Sequence, residues 1–385
     1  MKNSKKSKIF IVLTTINIPI LLKKYLENFK KFEYENVSVI IIGDKKSPKK
    51  TFNFINKLKK KTQYKINYLD FEQQNRFVSK NFPSLKKVMY ANSIQRRNLG
   101  YLIAAKEGAE KIVSIDDDNF ILNDNEDYLK FHNEIGSEII LNTYKSNTSW
   151  FNICKFANTQ NNIKFYHRGY PLSKRSFDEK INVVKKNIKI SVNVGLWTED
   201  PDVDTFARIQ SVLRVKNYTL PKKGFSLHKS TYSPFNSQNT SFETKLLPCF
   251  FLIPVGKVNN FFYDYNFRYD DIWQSYIAQK IMKSCDLYVR YGYPIVRQNR
   301  NTHNYVIDFN RESLPLFLTE IFIDILNDIK LSSNNISDCY NEFLYKFYAE
   351  LKKQKFSNIL YKQYFLKIYK NLKTWQKTIK NLNEI

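Results

Sequence analysis

The stretch VSIDDDNF (113–120) places three carboxylates, Asp116, Asp117 and Asp118, directly behind a β-branched run. Like charges this close repel one another, and folding does not require them. Oxygen-only clusters of this kind bind hard divalent cations. Asp116 and Asp118, two apart, can hold Mn²⁺ or Mg²⁺ and leave coordination positions open. A nucleoside diphosphate can fill those positions, and the metal would neutralise it as a leaving group. A solvated acidic turn is the ordinary alternative. Just upstream, Arg96 and Arg97 can supply charge to phosphates, and Asn98 can orient an aspartate or a loop.

The elements around the aspartates give them a place. KIFIVLTT (8–15), VSVIIIGD (37–44), YKINYL (64–69) and KIVSI (111–115) read as buried strands, with helical patterns over 21–29, 51–61 and 93–110 between them. The helix over 93–110 ends at Gly108 as a C-cap. Strands alternating with helices predict an α/β domain with a mainly parallel sheet. Ligands of such sheets bind beyond the carboxyl ends of the strands. Thr14, Thr15, Gly43, Asp44 and the three aspartates all fall there, so they should converge on one edge.

Bulk properties narrow the function classes. A chain of 385 residues with 43% apolar content can bury a full core. Four scattered cysteines without CxxC spacing argue against a disulfide framework or a zinc site, and fit a reducing, cytoplasmic setting. The balance of 62 basic to 36 acidic residues, a net charge of +26, favours polyanions, although a lysine-rich codon bias explains it equally well. Lys2, Lys5, Lys6 and Lys8 ahead of IFIVLTTINIPILL superficially resemble a signal peptide. Thr14, Thr15, Asn17 and Pro19 interrupt the run, which is also too short to span a bilayer.

RRNLGYLIAAKEGAEKIVSIDDDN (96–119) resembles the core of the reversibly glycosylated polypeptides, the UDP-arabinopyranose mutases, and of the related STELLO-type glycosyltransferases. GDKKSPKKT (43–51), RGYPLSKR (168–175), GLWTEDPDVDT (195–205) and RYDDIWQSYIAQ (268–279) continue the likeness in the family's order. The resemblance covers roughly residues 8–305. It implies a GT-A (Rossmann-like) nucleotide-sugar-binding domain, a nucleotide-sugar donor and a divalent metal, Mn²⁺ or Mg²⁺. It also implies that Arg168 stands where the plant mutases carry their reversibly glycosylated arginine. Asn119 departs from the cysteine usual there in the mutases, and DPDVD leans toward the STELLO-like branch.

Beside that likeness the remaining residues acquire roles. Asp44 and Lys45 would meet the uracil and ribose edges, with Thr14, Thr15, Arg97, Asn98, Asp117, Gly195 and Trp197 completing the nucleotide-sugar site. Asp202 and Asp204 would bind sugar hydroxyls or act as a base; an Asx-turn after Pro201 is the plainer reading. Asp270 and Asp271 open a helix, where carboxylates are favourable anyway, or else Asp271 is the general base. His303 would be a third metal ligand, as in many GT-A enzymes.

The expected division is a catalytic domain over 1–305 and a basic, amphipathic helical region over 306–385. The leading expectation is a metal-dependent glycosyltransferase using a nucleotide-sugar donor, a UDP-sugar, and a carbohydrate or lipid-linked acceptor, in surface polysaccharide or glycolipid synthesis. The rival is a nucleotide-sugar pyranose/furanose mutase. Leu314, Leu318, Ile321, Phe322, Ile325 and Ile329 form one stripe, and 344–382 interleaves lysines with aromatics. Such helices can lie on the inner face of an anionic membrane, or pack on the catalytic domain or a second subunit. No nucleic-acid-binding signature appears, so specific nucleic-acid binding is not expected.

Overall fold

The computed structural model describes residues 7–176, 178–255 and 268–383. Lys2, Lys5 and Lys6 of the N-terminal run lie outside them. The apolar runs become β1 (Ile9–Thr14), β2 (Val37–Ile42) and β3 (Lys65–Leu69), alternating with α1 (Leu22–Lys31), α2 (Lys49–Lys61) and α3 (Phe71–Asn81). The helix α3 was not expected; Asp70 and Gln73 start it with a reciprocal capping box. Then α4 (Arg97–Lys106) leads into β4 (Lys111–Asp116). These strands run parallel in the order β3-β2-β1-β4. Thr14 is level with both Ile42 and Asp116, so the strand ends do converge. Gly100 lets α4 press onto the sheet, since a Cβ there would stand 2.4 Å from the Val12 side chain.

The second half is mixed in direction. It comprises β5 (Asn119–Ile121), α5 (Leu129–Asn133), β6 (Glu138–Ser146), β7 (Ala157–Thr159), β8 (Ile181–Glu199), α6 (Thr205–Gln210), β9 (Val215–Tyr218), β10 (Phe225–Leu227), β11 (Asn239–Glu243), α7 (Asp270–Ser284) and β12 (Leu287–Gln298). From β4 the sheet continues β11-β8-β6-β10-β12-β5. The 19-residue β8 is its spine: it pairs with β6, β11 and β12. Because β11 runs antiparallel to β4, the residues entering it, 236–238, pass the same edge as the aspartates. Gln238 O accepts the Asp116 N–H at 3.1 Å.

Three helices close the chain: α8 (Tyr305–Asp328), α9 (Ile336–Lys353) and α10 (Ile359–Asn383). Their apolar stripes are spent on packing. Leu318, Phe322, Ile325 and Ile329 are buried, as are Phe365, Ile368, Leu372 and Trp375 on α10, in the same core cluster as β1 and β4. Trp273 of α7 stacks on Phe322 at 4.5 Å and on Phe365 at 5.6 Å between centroids. Trp375 stacks on Phe251 at 4.7 Å and donates its indole N–H to Leu247 O at 3.2 Å. Among the described residues, no helix is long and apolar enough to cross a membrane.

Packing of this kind sets an expectation for the tail. Trp375→Ala should lower the unfolding free energy by about 3–5 kcal/mol, since it opens a large cavity in a continuous core. Chemical denaturation would measure it. A loss under 1 kcal/mol would mean that α10 is not part of the cooperative unit.

Candidate functional site

The converging strand ends form a cleft of about 360 Å³ lined by Thr14, Thr15, Gly43, Asp44, Arg97 and all three aspartates of the acidic run. Arg97, fully buried, organises it. Its Nη2 donates to Asp116 Oδ1 and, at 2.7 Å, to Thr14 Oγ1; Nη1 donates to Ser114 Oγ at 3.1 Å and to Ser237 O at 3.0 Å. Burial alone would weaken its hold on the proton, but the Asp116 carboxylate outweighs it and raises the guanidinium pKa. Asp117 accepts from Thr15 Oγ1 at 2.6 Å and Asn17 Nδ2 at 3.2 Å, and burial raises its pKa. Asp118 accepts from Asn119 Nδ2 at 2.8 Å. Burial, and next the charge of Asp116, push the Asp118 carboxyl up to about 7.

The donor set suits a hard cation. Asp116 and Asp118 offer only oxygen, the Asp116 side chain remains 29% exposed, and a cation would relieve the repulsion that raises Asp118. His303 is not placed with them; its Nδ1 lies 2.8 Å from Asp308 Oδ2 at the start of α8. Among the described residues no group of three or more His, Cys, Asp or Glu side chains is arranged as a metal site. Further ligands would come from water or a nucleotide.

Other expected residues are placed variously. Asp44 fixes the facing loop, accepting from Asn92 N at 2.8 Å and Ser93 N at 2.9 Å. Lys45 is exposed, and Lys46 lines the cleft instead. Asn98 clasps the backbone of Leu252 through both ends of its amide, at 2.8 and 2.9 Å, away from the cleft lining. Trp197 is buried beside Tyr218, and a Cβ on Gly195 would meet Asn239 and Pro294 at 2.3 and 2.4 Å. Both positions lie in packing contacts.

The residues expected to be catalytic are gathered in one buried network. Arg168 donates to Asp202 from Nε at 2.8 Å and Nη2 at 3.1 Å, and from Nη2 to Asp271 Oδ1 at 3.1 Å. Burial opposes the charge of Asp202, but Arg168 outweighs it and holds that carboxyl below the usual carboxylate range. Asp204 is tied to Tyr269 Oη at 2.6 Å, Gly169 N at 3.1 Å and Arg175 at 3.0 Å. Asp270 accepts from Gln95 Nε2 at 2.9 Å; burial and the neighbouring Asp271 push it up to about 7. Gly169 sits at φ +78°, where a Cβ would stand 2.3 Å from Ile272. That close approach seats the 168–175 loop on the first turn of α7.

One residue joins cleft and network, and sequence reasoning missed it. The Ser237 carbonyl accepts from Arg97, and its N–H donates to Asp271 Oδ2 at 3.1 Å. Asn236 beside it donates to Asp202 Oδ2 at 2.6 Å. The segment FNSQN (235–239) carries no motif; only its antiparallel entry beside β4 reveals it. Lys46, Ser93, Asn301 and Arg311 of the cleft wall were likewise not anticipated.

A family model described as reversibly glycosylated polypeptide matches residues 4–384 and so includes the C-terminal helices. A curated relative, UDP-arabinopyranose mutase 1 of Arabidopsis thaliana, is 25% identical over 296 residues, covering 74% of this chain and 72% of the relative. Among solved structures, the chain is similar to the mannosyltransferase PcManGT from Pyrobaculum calidifontis in complex with GDP-Man and Mn²⁺. That match has 12% identity, coverage of 98% of this chain and 85% of the other, and a TM-score of 0.39. A second is glucosyl-3-phosphoglycerate synthase from Mycobacterium tuberculosis with Mn²⁺ and UDP-glucose: 11% identity, coverage of 82% and 80%, TM-score 0.41.

The raised Asp118 carboxyl predicts a pH effect of definite sign. It holds its proton more tightly folded than unfolded, so its contribution favours the fold at acid pH and is lost as pH rises from about 4 to about 7. Burial lowers His132 and His167, which act in the opposite direction, so the comparison must be with a variant. The difference in Tm between Asp118→Asn and the unsubstituted protein should grow in the variant's favour from pH 5 to pH 8. A pH-independent difference would contradict this placement of Asp118.

Proposed function

The chain belongs to the reversibly glycosylated polypeptide family, and from that premise we propose that it is a metal-assisted glycosyltransferase drawing on a nucleoside diphosphate sugar, with UDP as the nucleotide. The observation that carries the reading is the unbroken contact path Asp116–Arg97–Ser237–Asp271–Arg168–Asp202. It joins a cleft suited to a cation and a diphosphate to a buried, preorganised cationic centre. When bound by Asp116 and Asp118, Mn²⁺ or Mg²⁺ would neutralise the departing diphosphate. Arg168 is kept charged by Asp202 and Asp271, although burial opposes that charge. It supplies a fixed positive charge that needs no reorganisation as the anomeric bond breaks. Asp271, joined to the cleft through Ser237, is assigned the proton of the acceptor hydroxyl.

The mutase reading is favoured by the curated relatives, whose name is UDP-arabinopyranose mutase. Against a sugar carried on Arg168 stands its pairing with two carboxylates, which keeps its proton on and its lone pair unavailable. The acceptor is assigned to surface polysaccharide or glycolipid synthesis at the cytoplasmic face. Contact with an anionic membrane would run through exposed lysines of α9 and α10, since the apolar stripes are covered. A second subunit is a further candidate for the same surface.

Product NMR after incubation with UDP-, GDP- and CDP-sugars, with and without Mn²⁺, separates the readings. Transfer requires an added acceptor; an isomerised nucleotide sugar formed without one, or a glycosyl adduct on Arg168 by intact mass, establishes the mutase. In either case Asp116→Ala and Asp118→Ala should lose metal-dependent nucleotide binding by calorimetry while keeping a cooperative unfolding transition. Undiminished Mn²⁺-dependent affinity in both variants would sink the site assignment. Asp271→Asn should lower turnover roughly 10²–10⁴-fold with nucleotide affinity nearly preserved.

A further inference from the structure

Among the described residues, the ion pairs behind the aspartate run include one buried guanidinium with no hydrogen bond to either of its carboxylates. Asp202 already receives two donors from Arg168 and one from Asn236. Asp200 receives Arg208 and lies 3.4 Å from Arg214. Arg300 comes third to both. Its Nε stands 3.7 Å from Asp200 Oδ2 and its Nη2 3.9 Å from Asp202 Oδ1, each beyond hydrogen-bond reach. The side chain is only 10% exposed, and Nε is buried with no hydrogen-bond partner. Burial, and next the neighbouring Arg208, lower its pKa, while Asp202 and Asp200 resist. A buried charge is costly unless it is both paired and hydrogen-bonded.

Its position says where the missing anion would lie. Asn301, the next residue, lines the cleft, and the N–H of Asn299 donates to the Asp118 carbonyl at 2.9 Å. The charge of Arg300 is felt at the Asp118 carboxyl, where it opposes the upward push of burial and Asp116. The guanidinium therefore stands behind the cleft, against the Asp200–Asp202 pair and next in the chain to Asn301 of the cleft wall.

We propose that Arg300 is an oxyanion anchor whose free N–H groups receive a phosphate oxygen of a ligand lying against Asp118. The identity of that ligand rests on the nucleotide-sugar reading, and two sources share its chemistry: the donor's diphosphate and a phosphate carried by the acceptor. A planar fork with unfilled donors suits a phosphate better than a neutral hydroxyl. Arg300 is thus held in a state that costs the empty protein stability and is satisfied on binding.

The test uses the full chain and reads binding and stability together. Arg300→Gln should leave the ligand-free Tm equal to or above that of the unsubstituted protein and, where the donor supplies the phosphate, should shrink the rise in Tm caused by UDP with Mn²⁺. If the donor supplies the phosphate, UDP binds about 10- to 100-fold more weakly while UMP is unaffected. If the acceptor supplies it, UDP affinity is unchanged, and inorganic phosphate no longer binds to the protein saturated with UDP and Mn²⁺. Unaltered binding of UDP, UMP and inorganic phosphate, or a lower ligand-free Tm without any binding change, overturns the proposal and leaves Arg300 structural. Should the unsubstituted protein bind no UDP, the nucleotide reading fails by itself. Inorganic pyrophosphate then decides: equal or absent binding in protein and variant overturns the anchor. If Arg300→Gln does not fold, Arg300→Lys replaces it, and binding equal to that of the unsubstituted protein is the overturning result.

Discussion

A buried arginine against a half-exposed aspartate, Arg97 on Asp116, is the contact on which the site depends. Arg97 enters from the first turn of α4, and α4 can approach that closely only because Gly100 has no side chain to meet Val12. Removing Asp116 would strand the Arg97 charge in a low-dielectric interior, so the carboxylate fixes the guanidinium. The rest of the guanidinium then ties Thr14, Ser114 and Ser237 to the same point. Three separate chain segments are thereby held at one edge of the sheet before any ligand arrives, which is the preorganisation that electrostatic catalysis requires.

The neighbouring charges follow a different logic. Within the aspartate run, three carboxylates have one ion-pair partner among the described residues, Arg97 on Asp116, and burial and the charge of Asp116 push the Asp118 carboxyl up to about 7. Behind it, Arg168, Arg208, Arg214 and Arg300 meet Asp200, Asp202 and Asp271, and within that group the cations are in excess. On the proposed reading, a metal would offset the first imbalance and a phosphate the second. A nucleoside diphosphate with its cation therefore suits both sides at once, where either alone would leave one side uncompensated.

Much of this was legible in the sequence, for identifiable reasons. Continuous apolar runs ending in Thr14, Asp44 and Asp116 gave the parallel strands and their shared edge. What escaped was governed by long-range pairing. No single periodicity describes the 145–260 stretch, because the first half of β8 is exposed and lysine-rich while its second half is buried. Ser237 and Asn236 acquire their roles only from the antiparallel entry of β11. Trp197, Gly195 and Asn98 carried the right motif neighbours, yet the Trp197 ring lies in packing contacts, Gly195 leaves room for Asn239 and Pro294, and the Asn98 amide holds backbone. A motif marks a place in the fold and does not by itself say which way a side chain points.

The C-terminal helices belong to this argument as well. The α7 helix begins with Asp270 and Asp271, whose charges suit its N-terminal dipole, and one turn on it presents Trp273 to α8 and α10. One rigid helix therefore has its acidic end in the network and its aromatic flank in the tail. Arg268, just before it, is bound to Asp308 and Glu312 of α8 at 3.0 and 2.7 Å. Arg311, from the same turns of α8, lines the cleft. A tail that was only an attached module would have no reason to supply ion pairs at the root of the helix bearing the site's carboxylates. Its aromatic packing sets how far α7 can shift, and so sets the position of Asp271 relative to Ser237 and Arg168.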